Sequence, residues 1–208
     1  MRRRTLILSS VGLLSALGFM LAVGAWRSGD LPWQQEAALV SGIRAADLGA
    51  MSWQLTSHDN ERVSPQDWVG EASLVFFGFT WCPDVCPMTL LNISEWLDKL
   101  GPEADRLAVH LVTVDPERDS PEVLADYLSN FDPRITGLTG TPDEVARAVE
   151  AFDVTVRRVP RKDGDYTMDH TAGVFLFRPD GRLSSIIDLH EDPQFAVPKI
   201  RQALEREG

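Results

Sequence analysis

The chain has two cysteines, Cys82 and Cys86, and both lie in FGFTWCPDVCPMTL at residues 77–90. Thiols set three residues apart can do two kinds of chemistry. They can join as a disulfide or, as thiolates, grip one soft ion. On a helix, positions four apart share a face, with Cα atoms about 6 Å apart, inside the roughly 4.4–6.8 Å range that a disulfide needs. A helix start also favours thiolate over thiol, and Pro87 suits such a start because its missing N–H is not needed there. A bridge that closes so short a loop adds little stability, so the pair is expected to be chemical rather than structural.

Two thiolates make a linear soft-metal site, and an imidazole would improve it. The chain offers His58, His110, His170 and His190. His110 lies in the apolar run LAVHLVTV and is expected as a core or face residue. His58 stands in a polar turn, where solvent exposure accounts for it, and His190 follows a strand beside two acids. His170, in DYTMDHTAG, is expected in a polar loop just before an apolar strand, where it can reach the sheet end that carries the cysteines. Asp84 is a candidate helix cap, and Asp169 a loop-stabilising carboxylate able to orient the ring. Met88 and Met168 are expected to pack. Asp115, Glu117 and Arg118 read as turn and capping residues, and Tyr166 can pack on the site from its loop.

The elements that must position these groups follow from pattern. ASLVFFGFTW (72–81) is a continuous apolar run and reads as a strand buried on both faces. A helix is expected over about 84–100, ending at Gly101. LAVHLVTVD (107–115) is a second buried strand, and SPEVLADYLSNF (120–131) a helix with serine as cap and proline just inside. ITGLTG gives a short strand, TPDEVARAVEAF (141–152) a helix with a capping box, and VTVRRV (154–159) a strand. The polar loop follows, then a hairpin turning at Pro179-Asp180-Gly181, then a helix over about 193–206. Ahead of them, residues 51–68 read as a short strand, a turn at 58–60, and a second short strand or turn. The order implies an α/β fold, a mixed central sheet flanked by helices, with the cysteines at the carboxyl end of a central strand, where such sheets bind ligands.

Compartment is set by the first residues. MRRR precedes an uncharged run over 5–26, long enough for a transmembrane helix. The arginines should remain cytoplasmic and the rest lie outside. A cleaved signal peptide with an exit near residues 22–25 is the alternative. The expected organisation is a transmembrane anchor (1–27), a tether (28–47) and one domain (48–208). Beyond the first 26 residues the chain has 17 basic and 31 acidic residues, a net charge of −14. Such a surface repels nucleic acid and anionic lipid, and both are excluded as ligands of the domain.

FGFTWCPDVCPMTL, VTVDPERDSPEVLADY and DYTMDHTAGVFLFRPDGRL together resemble the Sco/SenC family, from about residue 48 to 204. The resemblance implies a thioredoxin-like fold, membrane-anchored and outside the cytoplasm; with no Arg/Ser-rich amphipathic transit segment at the N-terminus, the bacterial inner membrane and a periplasmic domain are expected. The resemblance further implies copper bound by Cys82, Cys86 and His170, and a part in cytochrome c oxidase assembly. The partners would be subunit II, or another copper-accepting protein, and a copper donor. Thr171 stands where the family often has serine. Thiolates select Cu(I), and an added imidazole also suits Cu(II), so either state is expected. The alternative role is that of a thiol–disulfide oxidoreductase acting through Cys82 and Cys86 on the cysteines of the copper-accepting subunit. A peroxidase is a third reading, disfavoured because TWCPDVC brings no arginine to the cysteine.

Overall fold

Seven of the nine strands form a sheet in the order β2-β1-β5-β4-β3-β8-β9 in a computed structural model, which describes residues 47–162 and 164–205. Its centre is β3 (Ala72–Gly78), every residue of which is buried. β3 runs parallel to β4 (Leu107–Thr113) and antiparallel to β8 (Val174–Phe177). β4 is in turn parallel to β5 (Ile135–Thr139). Two crossover helices make these parallel pairings possible. They are α1 (Val85–Leu100), between β3 and β4, and α2 (Pro121–Leu128), between β4 and β5. The short strands β1 (Leu55–Ser57) and β2 (Arg62–Val63) close one edge, and β9 (Leu183–Ile187) closes the other.

The helices begin where capping chemistry starts them. Ser120 accepts a hydrogen bond from the Val123 amide at the head of α2. Thr141 and Glu144 form a capping box at α3 (Pro142–Ala151). On α1, Cys86, Thr89, Leu90, Ile93, Trp96, Leu97 and Leu100 are buried, a stripe at helical spacing, and the helix packs against α4 (Pro193–Glu205). It ends at Gly101, whose φ of +59° with ψ of −128° is backbone that glycine adopts without the clash of a Cβ.

One element departs from the sequence expectation. The polar segment before β8 is not simply a loop. Residues Tyr166–His170 form β7, antiparallel to β6 (Val156–Pro160), and this pair is a separate two-stranded sheet. None of its five residues is fully buried and most are polar, so its composition looks like loop. Among the described residues no helix is long and apolar enough to cross a membrane. The run over 5–26, expected as the anchor, lies outside the described residues, as does nearly all of the expected tether.

Candidate metal centre

β3 delivers the chain to the site. After Gly78 it turns through Thr80 and Trp81 to Cys82, and α1 begins at Val85. The cysteines therefore do not share a helix face, which corrects the sequence expectation: Cys82 stands in the turn ahead of the helix, and Cys86 in its first turn. The two still meet, because the Cys82 sulfur accepts the Cys86 amide at 3.4 Å. Cys82 thus does the capping work expected of Asp84, whose side chain makes no cap hydrogen bond. Cys86 is fully buried, and Cys82 is half-buried.

This arrangement separates the two acidities. The hydrogen bond from the Cys86 thiol, helped by the amides of Asp84, Cys86 and Val85, lowers the Cys82 thiol to about 5. Cys86 is pushed up, first because it donates to Cys82 and then because it is buried. Near neutral pH the pair holds one half-buried thiolate and one sheltered thiol. Nucleophilic attack belongs to Cys82.

His170 ends β7, and its Nε2 lies 4.0 Å from the Cys86 sulfur. Its Nδ1 is 3.0 Å from the Thr171 carbonyl. A proton on Nδ1 satisfies that carbonyl and leaves the Nε2 lone pair facing sulfur. Phe79 presses edge-on to the ring with centroids 6.1 Å apart. Two donors on one ion can be no farther apart than the sum of their bonds, about 4.3 Å for a zinc-type sulfur and nitrogen pair. The Cys86–His170 separation falls inside that limit. Among the described residues, however, no three His, Cys, Asp or Glu side chains are already gathered tightly enough to enclose an ion. The triad is open as it stands.

The other candidates sort themselves. His110 is buried as expected, stacked on Trp68 at 4.1 Å, and burial lowers its pKa to about 3. His190 is exposed. His58 is not the solvent-exposed residue its polar turn suggested: it is largely covered, and its Nδ1 accepts the Gly137 amide at 2.8 Å. Asp169 turns away from the ring to pair with Arg157 at 2.7 Å. Met168 packs against the core, but Met88 is 46% exposed, contrary to the packing expected of it.

Two groups of functional interest were not legible locally. Asp119, fully buried, accepts from the Thr80 amide (3.1 Å), the Thr80 hydroxyl (2.6 Å) and the Thr113 hydroxyl (2.6 Å). It ties the cysteine turn to the end of β4. Burial pushes its carboxyl up, while the Thr113 and Thr80 bonds oppose that shift. Its only sequence signal was a third acid in VDPERDSP. Arg118, expected only as a turn residue, reaches the site's edge, 5.4 Å from the ring of Trp81. The arginine absent from TWCPDVC thus arrives from elsewhere, but Asp115 and Tyr166 engage it.

A thioredoxin-like sheet with a dithiol at the end of its central strand and an imidazole brought against it defines a class of thiol–imidazole proteins. The chain belongs to the SCO1/SenC family, whose model matches residues 42–205. It is 38% identical to the mitochondrial Protein SCO2 homolog of Danio rerio over 67% of this chain, a match spanning about half (51%) of that relative. Among solved structures it is similar to Bradyrhizobium japonicum ScoI with copper bound (43% identity, TM-score 0.69, covering 73% of this chain and 97% of that one). It also resembles yeast Sco1 with copper bound (35% identity, TM-score 0.67, covering 72% and 84%).

Proposed function

We propose that the protein is a copper metallochaperone that holds one copper ion on Cys82, Cys86 and His170. The observation that carries this reading is the 4.0 Å approach of His170 Nε2 to the Cys86 sulfur. The donor chemistry supports it: two sulfurs suit Cu(I), and the imidazole extends the site to Cu(II). The copper-bound relatives at 43% and 35% identity support it further. The acceptor is the dinuclear copper centre of cytochrome c oxidase subunit II, and a separate donor supplies the ion. Residues 1–27 anchor the chain in the bacterial inner membrane, 28–47 form a tether, and 48–208 form the periplasmic domain.

The chain's own residues set the conditions for binding. The Cys86 thiol, helped by the amides at the start of α1, holds Cys82 as thiolate, ready to coordinate. Cys86 must give up its proton on binding, so uptake releases one proton near neutral pH. Oxidation of the thiolate–thiol pair to a disulfide removes two electrons and one proton and leaves no thiolate donor, which couples copper loading to redox state.

The split acidity of the cysteines favours a second reading, a thiol–disulfide oxidoreductase. The Cys82 thiolate would attack one sulfur of a partner disulfide, the other sulfur leaving as thiolate. Cys86 would then attack the mixed disulfide, release the reduced partner and leave this chain oxidised. That cycle has no need of His170 as a ligand. Anaerobic titration of the reduced protein separates the two readings. The metallochaperone takes up one copper per chain, and His170→Ala fails to support oxidase assembly while keeping its dithiol redox cycle. A wild-type protein that takes up no copper contradicts the first reading.

A further inference from the structure

We infer that Arg118 is the positioning residue that docks the β6–β7 hairpin, and with it His170, beside the cysteine turn. The inference rests on the metal reading of Cys82, Cys86 and His170. The hairpin pairs only within itself and belongs to neither edge of the seven-stranded sheet, so no backbone ladder fixes it to that sheet. Chain continuity ties the His170 end to β8, which begins at Val174, and side chains must set the place of the far end. On β7, alternate residues point the same way, so Tyr166, Met168 and His170 share a face, each of them half-buried. Met168 packs on the core. His170 meets Cys86 at one end, and Tyr166 meets Arg118 at the other.

Arg118 engages that second end closely. Its guanidinium lies 3.8 Å over the Tyr166 ring, and Nη1 donates to the Tyr166 carbonyl at 3.2 Å. Its Nε donates to Asp115 at 2.5 Å, and the Tyr166 hydroxyl donates to the other oxygen of the same carboxylate at 2.8 Å. Asp115 is 3% exposed and sits two residues beyond β4, its amide donating to the Thr113 hydroxyl at 2.9 Å, so the anchor point is tied to the end of the sheet. The same guanidinium faces the ring of Trp81, the residue before Cys82. One cation thus touches both the strand that carries the imidazole and the turn that carries a sulfur. A second tie, Arg158 to Glu117 at 2.9 Å, is exposed on both sides and holds less. Because β7 is a single extended strand, its docking at Tyr166 limits how far His170 stands from sulfur four residues on.

The test uses the full chain, reduced, as Arg118→Gln and separately Tyr166→Ala, which removes the plate without stranding Asp115 beside a lost cation. In the metal-free protein, amide exchange across β6 and β7 should quicken on the order of tenfold while β3 and β4 stay unchanged. Cu(II) affinity should fall about 10- to 100-fold, with weakened nitrogen hyperfine coupling. Cu(I) affinity, which rests on sulfur, should hold. Unchanged hairpin exchange in both variants overturns the inference, as does quickening that spreads equally through β3 and β4. Wild-type copper lacking an imidazole nitrogen instead defeats the metal reading, and the exchange data then still decide whether Arg118 docks the hairpin.

Discussion

His170 Nε2 stands 4.0 Å from the Cys86 sulfur across 84 positions of sequence. The two arrive by independent routes, Cys86 on the first turn of α1 and His170 at the end of a hairpin outside the main sheet. The sulfurs are held by a helix start and a buried carboxylate, and the imidazole by a hairpin docked through side chains. The dithiol should therefore be the more rigid half of the site.

The acidity of Cys82 is directly measurable. Alkylation of the reduced, metal-free protein should modify Cys82 with a midpoint near pH 5, against about 8.5 for a free cysteine. Buried Cys86 should react far more slowly. In Cys86→Ala the largest cause of the shift is gone, so the midpoint should move upward. A midpoint unchanged by that substitution would assign the shift to the helix start alone.

Asp119→Ala should destabilise the fold by about 2–4 kcal/mol, since it leaves the Thr80 amide and the Thr80 and Thr113 hydroxyls without their acceptor. Asp119→Asn, which keeps the shape and one acceptor oxygen, should cost less. Denaturant melts of the metal-free protein check both, and equal losses would mean that charge rather than hydrogen bonding matters.

His110 links stability to pH. Its folded pKa of about 3 lies below the ordinary value of 6.5. Between the two the unfolded chain binds the extra proton, so stability falls as pH drops from about 6.5 toward 3 and is fully present above that window. The loss should reach a few kcal/mol. His110→Phe, which can keep the stack on Trp68, should flatten the slope of stability against pH over that range.

Much of this was legible in the sequence because burial writes itself locally. β3 is a seven-residue run buried throughout, and the caps at Ser120 and Thr141 announce their helices. The hairpin strand β7 was not legible. No residue of Tyr-Thr-Met-Asp-His is fully buried, and its polar residues give no apolar alternation. His170 stood apart by its place just before an apolar strand, and the family segment around it marked it as a ligand. The Arg118–Tyr166 contact spans 48 positions and pairs a cation with a ring, which leaves no period to read. Asp84 looked like a cap, yet the Cys82 sulfur reached the amide instead.

The most direct test is X-ray absorption on the copper-loaded protein, comparing wild type with His170→Ala. Two sulfurs and one imidazole nitrogen in the wild type, with that nitrogen missing from the variant, are the expected result. Identical spectra from the two proteins would show that this ring does not reach the ion, leaving the sulfurs to exchange electrons rather than hold cargo with its help.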